Sequence, residues 1–427
     1  MFFCITIFSP AQNNRKNRGK TMNKKLLSVS VLAVAPAVML ALPVNEAQKA
    51  MQKIYAKTAA PTQKILEYSD VAGLNLSAKS YVLTDYFTGE VLVSHNANQK
   101  LPIASMTKMM TMLLLLEAND TGAVNLSDQT TISEYAASQE GSECFLDAGQ
   151  RYTLIDLLRA VAIASANDAS VAIAEHLAGT EKAFAEKMNA RAQELNMTNT
   201  TFKNSTGLDE AGHESTAEDM AKLIRVVGKR PELAKFSKTW MDELVHPSGR
   251  KTELVNTNRL VKTYPELVFA KTGSTDGAGY CITAMAKRGD TTLICSILGE
   301  SDSKKRFADS VSLLNFGFAN FESKKLLSAE TALGKLPLKG ANKSELNLYA
   351  QEDYQKLIKK GEPAVIATDI QINGNIKLPL KAGDAVGTVI IKSESGEEIS
   401  RMPLVVREDA EAVKFGEIVD KIISQNR

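Results

Sequence analysis

The chain has 427 residues and a formal net charge of +2. That length suits two or three domains, and 44% hydrophobic with 23% charged residues is ordinary globular composition. Such a charge, with no basic run interleaved with aromatics, gives no reason to expect nucleic acid; four scattered histidines without a His-Glu-x-x-His pattern argue against a zinc peptidase, and no metal or cofactor is expected.

Residues 1–42 read as an N-terminal extension and signal peptide. Met22-Asn23-Lys24-Lys25 is a positive n-region, and Leu26 to Leu42 is an apolar h-region. This predicts export, to the periplasm or the outer face of the cytoplasmic membrane. Residues 43–61 form an Ala/Lys/Gln-rich lead-in. Ser80–Asp85 and Glu90–Ser94 alternate apolar with polar around Phe87-Thr88-Gly89, which predicts a β-hairpin. A helix is expected to open at Ser105. Its Met106, Met109, Met110, Met112 and Leu113 to Leu116 leave no polar face, so it should be buried all round.

Thr153 and Asp156 read as a cap for a helix running towards Ser165. A second helix should stop at Gly179, a third should span 181–196, and Thr216 should cap a fourth that ends at Gly228. Leu267–Ala270 is a short apolar strand leading into Lys271. Strands at 280–287 and 291–298 and a helix over 302–321 follow. Strands at both ends with helices between predict an α+β domain, an antiparallel sheet flanked by helices plus a helical lobe.

Gly334–Ser344 turns to Gly, Pro, Lys and Asn, which reads as a linker. Short alternating runs from there to Val406 predict a small all-β domain. In residues 407–427, Phe415, Ile418, Val419 and Ile422 make one apolar stripe at helical spacing, an amphipathic helix. The expected organisation is therefore 1–42 leader, 62–334 catalytic domain, 335–406 small all-β domain and 407–427 C-terminal helix. Of the cysteines, Cys281 and Cys295 sit in apolar strand runs and read as buried small hydrophobes.

Three strings carry the chemistry: Ser105-Met106-Thr107-Lys108, Ser165-Ala166-Asn167 and Lys271-Thr272-Gly273. Each alone is weak, and Ser301-Asp302-Ser303-Lys304 repeats the first pattern in a polar stretch. Order and context decide. Together they supply a serine nucleophile, a lysine one helical turn away to take its proton, a second hydroxyl to relay that proton, and a cation for a carboxylate. Lysine at its ordinary value near 10.4 cannot act as a base at neutral pH. Burial among Met and Leu side chains, with Lys271 nearby, would lower it.

In this order the three strings resemble those of the penicillin-binding protein and serine β-lactamase superfamily. With Thr84 to Leu92 before the nucleophile, and Gly207-Leu208-Asp209 and Ser215-Thr216-Ala217 between the strings, residues 62–427 resemble a low-molecular-weight D-alanyl-D-alanine carboxypeptidase. The resemblance implies a peptidoglycan stem peptide ending in D-Ala-D-Ala as substrate, β-lactams as acylating mimics, and membrane association through the tail. It assigns Ser105, Lys108 and Ser165 to catalysis. It assigns Asn167, Lys271, Thr272, Gly273 and Ser274 to substrate binding, with Gly273 allowing the ligand close to backbone and the N–H groups of Ser105 and Ser274 forming an oxyanion hole. The rivals within the superfamily are a β-lactamase and a transpeptidase or endopeptidase. No glutamate here has asparagine four residues on, the pair that serves one β-lactamase class.

Overall fold

The computed structural model describes residues 74–413; the expected leader and residues 414–427 lie outside the described residues. The central sheet has five strands: β1 (Ser80–Asp85), β2 (Val91–His95), β3 (Leu267–Thr275), β4 (Gly279–Arg288) and β5 (Thr291–Glu300). Their order is β2-β1-β5-β4-β3, and every pairing is antiparallel. Strand β3, which carries the third string, is therefore an edge strand. It continues through Lys271 to Thr275 rather than ending at Ala270 as expected, because Lys271 to Thr275 pair residue by residue with Thr283 to Gly279.

Alternation along the strands splits the core between two faces. Val82, Phe269, Met285 and Ile294 pack with the helices of the lobe. Leu83, Ala284, Leu293 and Cys295 pack on the opposite side with Leu313, Leu314 and Phe318. The lobe contains α1 (Lys108–Asp120), α2 (Leu154–Ile163), α3 (Asn167–Ala178), α4 (Glu181–Glu194), α5 (Ala217–Val227) and α6 (Pro231–Lys238); α7 (Ser303–Asn320) backs the sheet. Helix α1 is buried on nearly every side from Lys108 to Leu116. Each of its Met and Leu side chains adds about 1.5–3 kcal/mol by leaving water, which makes it a fixed axle.

The helix starts follow local chemistry. The hydroxyls of Thr153, Thr180 and Thr216 and the Asp302 carboxylate accept backbone N–H groups at the heads of α2, α4, α5 and α7, each cap worth about 1 kcal/mol. Gly179 ends α3 in the left-handed region at φ 76°. Cys281 and Cys295, with Cys144, are buried free thiols.

Beyond α7 come β6 (Phe321–Leu327), β7 (Gly334–Pro337), β8 (Glu345–Ala350), β9 (Tyr354–Lys359), β10 (Ala367–Ile372), β11 (Ala385–Lys392) and β12 (Glu398–Val406). Five form a second sheet, ordered β7-β8-β12-β11-β10. Its inward residues, among them Leu348, Val389, Ile391, Leu404 and Val406, make a separate core. The expected linker at 334–344 is instead the first arm of a hairpin, Gly334–Pro337 on Glu345–Leu348, since Leu336 alternates inward despite its polar neighbours. Strand β6 pairs with β9. Residues 408–413, expected to open the C-terminal helix, are extended. Ala410 bridges Leu380 and Ala412 bridges Ala341, so backbone pairing outcompetes helix there.

Candidate active site

The first string does not begin an α-helix. Ala104–Thr107 is a single 3₁₀ turn, and α1 starts at Lys108. In a 3₁₀ turn residues i and i+3 eclipse, which stacks Lys108 over Ser105 more directly than an α-turn would. The Lys108 amine lies 2.8 Å from Ser105 Oγ and 2.7 Å from the Thr206 carbonyl oxygen. Lys108 is wholly buried, whereas Ser105 reaches solvent. Burial is the main force pushing the Lys108 amine well below its ordinary value, and the Lys271 cation adds to it; Asp168 and Glu181 oppose it.

Two glycines hold this turn. A Cβ on Gly207, at φ +86°, would stand 1.9 Å from the Ala104 carbonyl oxygen. A Cβ on Gly273 would stand 2.7 Å from the Ile103 oxygen and 3.0 Å from Ser105 N. The missing side chain at Gly273 thus lets strand β3 close on the Ser105 turn, backbone against backbone. Ala104 itself is held at φ 48°, a left-handed conformation that costs a non-glycine residue energy and persists only where packing imposes it.

The second string lies in the break between α2 and α3. Ser165 sits at φ 63° and is buried, and its Oγ accepts a hydrogen bond from the Lys271 ammonium at 2.8 Å. Asn167 is the first residue of α3. Its Nδ2 donates to the Glu140 carbonyl at 2.5 Å and its backbone N–H to Ser142 at 2.6 Å, while its buried Oδ1 has no partner. Next to it, the Asp168 carboxylate accepts the N–H groups of Cys144, Leu146 and Ala169 at 2.8–3.1 Å. That pins the 140–147 loop over the head of α3.

The third string lies along β3. Lys271 is buried, and its ammonium also donates to the Thr272 carbonyl at 2.9 Å. Burial and the Arg306 guanidinium lower it to about 7. Thr272 Oγ1 shares a hydrogen bond with Thr257 Oγ1 at 2.7 Å. Ser274 is exposed at the end of the strand. Arg306, on α7, reaches under the strand and donates to the Gly273 carbonyl at 2.9 Å.

All eight residues singled out from the sequence thus lie on the 3₁₀ turn and the first residue of α1, the α2–α3 break and the first residue of α3, and strand β3. The geometry adds Thr206, Thr257, Arg306 and Asp209; the Asp209 carboxylate accepts from Thr275 Oγ1 at 2.7 Å and Gly277 N–H at 3.0 Å. Gly207-Leu208-Asp209 was the only sequence cue to that loop. Among the described residues no group of His, Cys, Asp or Glu is placed to hold a metal ion.

Comparison with known proteins meets this geometry. Residues 67–302 match the family described as D-alanyl-D-alanine carboxypeptidase, and residues 321–412 match the C-terminal domain of penicillin-binding protein 5. The chain belongs to the D-alanyl-D-alanine carboxypeptidase family. It is 41% identical over 339 residues to the D-alanyl-D-alanine carboxypeptidase DacF of Bacillus subtilis, covering 79% of this chain and 87% of that one. With the Escherichia coli DacC carboxypeptidase it shares 33% over 374 residues, 85% of this chain and 90% of that one. Among solved structures, penicillin binding protein 5 from Haemophilus influenzae superposes with a TM-score of 0.64 at 31% identity, covering 80% of this chain and all of that one. Family membership makes the chain a serine-type carboxypeptidase of the penicillin-binding class, with the α+β domain and C-terminal all-β domain of that fold.

Proposed function

We propose that the chain removes the terminal D-alanine from peptidoglycan stem peptides through an acyl-enzyme on Ser105, and that β-lactams acylate the same oxygen. One observation carries the reading: a buried amine, pushed towards its neutral form, sits 2.8 Å from a solvent-reaching serine hydroxyl. Ser105 Oγ attacks the carbonyl carbon of the penultimate residue while its proton passes to Lys108 Nζ. The tetrahedral oxyanion is met by the N–H groups of Ser105 and Ser274, each worth about 3–4 kcal/mol. The close approach of β3 at Gly273 supports that pairing. The C–N bond then breaks, and the leaving amine takes a proton through Ser165. Water attacks the acyl ester with Lys108 again as base, which releases the shortened peptide and restores Ser105.

Substrate binding follows from the same groups. The orphaned Asn167 Oδ1 is an acceptor for a peptide N–H. As the edge strand, β3 offers backbone pairing to an extended peptide. Lys271 and Thr272 hold the terminal carboxylate by charge-assisted hydrogen bonds; because Lys271 is buried against Ser165, its carboxylate contact also orients the relay hydroxyl.

The proposal extends to location. The apolar 26–42 stretch exports the chain, and the C-terminal segment that carries the Phe415, Ile418, Val419 and Ile422 stripe anchors it peripherally. No helix among the described residues is long and apolar enough to cross a membrane. A catalytic domain precedes the small all-β domain, and β6 pairs across the join with β9. Brief exposure to penicillin followed by mass spectrometry tests the core of the reading. The adduct should map to the Ser105 peptide and vanish, with D-Ala release, in Ser105→Ala. An adduct elsewhere, or none, overturns it. An adduct that clears within seconds would make the chain a β-lactamase.

A further inference from the structure

His213 is buried beside the catalytic turn and takes no part in the chemistry above. Its two ring nitrogens are both engaged. Nδ1 accepts the Lys203 backbone N–H at 3.2 Å, so the proton resides on Nε2, which donates to Thr107 Oγ1 at 2.7 Å. Thr107 lies between Met106 and Lys108 in the 3₁₀ turn, and the His213 ring is the partner of its buried hydroxyl. A Cβ on Gly207 would come 2.8 Å from that same Oγ1, so the loop backbone lies directly on the Thr107 side chain.

These contacts close a ring. Lys108 ties to the start of the 206–213 loop through the Thr206 carbonyl, and its neighbour Thr107 ties to the end of the loop through His213. Asp209 fixes the middle to the β3–β4 turn. We propose that His213 is a positioning residue for Lys108: by tying the 206–213 loop to Thr107, it sets the Thr206 carbonyl that orients the Lys108 amine towards Ser105. A neutral amine donating N–H to Thr206 O has its lone pair directed elsewhere, and the fixed carbonyl aims that lone pair at the Ser105 hydroxyl.

The ring does this as a neutral donor. Burial, with Lys108 and Lys203 nearby, lowers it to about 4 against the pull of Asp209 and Glu181. The charged groups facing it are therefore of both signs, and burial decides. This inference rests on Ser105 as nucleophile and Lys108 as its base.

The test uses the intact protein and four variants: His213→Ala, His213→Gln, Thr107→Val and the His213→Ala/Thr107→Val pair. Glutamine places an amide N–H where Nε2 stands and should rescue. The second-order rate of penicillin acylation at Ser105 and the kcat for D-Ala release should fall about 10- to 100-fold in His213→Ala, since small misplacements of a catalytic group cost about that much. KM should move less than about 3-fold, because no substrate contact is lost. Thr107→Val should match that loss, the double variant should add nothing to it, and His213→Gln should recover most of the rate. Wild-type protein that takes no adduct at Ser105 sinks the underlying reading. A labelled wild type with His213→Ala equally fast, or additive losses in the double variant, overturns the positioning role alone. Should His213→Ala fail to fold, Thr107→Val at wild-type rate does the same.

Discussion

The Ser105 region and the C-terminal sheet are both well packed, yet they bury different things. Around the 3₁₀ turn and β3, the interior holds Lys108, Lys271, Asp168 and Arg306, with positive-φ residues at Ala104 and Ser165. Across 334–406, among the described residues, no charged side chain is buried. There the ion pairs, such as Lys392–Asp369 and Arg401–Glu398, lie partly or largely exposed, and apolar alternation alone builds the core. Buried charge costs folding energy unless it is partnered. The molecule accepts that cost and that strain in the first region, where the proposed chemistry needs Lys108 pushed towards its neutral form, and avoids both in the second.

The comparison can be broken at several points. The largest effect is expected for Gly207→Ala. Its methyl cannot share space with the Ala104 carbonyl, so the turn must move and Ser105 acylation should fall by about 100-fold or more; a stable variant with an unchanged rate would show that the turn is not held there. Next, Lys271→Ala should cost a substrate with a free carboxylate about 100-fold in kcat/KM, and its amide far less. The Lys271 ammonium exists below its value of about 7 and is lost above it. KM for free-acid substrates should therefore rise between about pH 6 and 8, and a flat profile would dissociate Lys271 from the carboxylate.

Leu404→Ala should destabilise the second sheet by about 2–5 kcal/mol while leaving penicillin labelling of Ser105 intact. A parallel loss of labelling would couple the two regions. Acid should unfold the first region sooner. His213 is held at about 4 when folded and returns to about 6.5 unfolded, so the unfolded state takes up the proton first. Stability is full above 6.5 and falls by about 3 kcal/mol as pH approaches 4, measurable as a pH-dependent midpoint that His213→Gln flattens. Smallest of all, Lys392→Ala should change neither activity nor melting temperature beyond error, as befits an exposed pair.

How much of this was legible in the sequence follows the same division. The three strings named residues whose chemistry is in their side chains, and the fold brings them together. Helix caps at Thr153 and Thr216 were legible because capping is local. Thr206 was not, since it contributes a backbone carbonyl that any residue could supply. His213, Thr257 and Arg306 act on residues far away in sequence; only tertiary packing brings the Arg306 guanidinium beneath Gly273. The 3₁₀ turn escaped notice because Ala104 is an unremarkable residue in a left-handed conformation imposed by its neighbours. The 334–337 strand was missed because its polar composition masked one inward leucine.

The central claim is that Lys108 is uncharged in the free enzyme. Heteronuclear NMR of the protein labelled at its lysine side-chain amines, followed across a pH titration, reads that state directly. The account predicts a Lys108 resonance that titrates well below its ordinary value near 10.4. A Lys108 that stays protonated until pH 10 would contradict it.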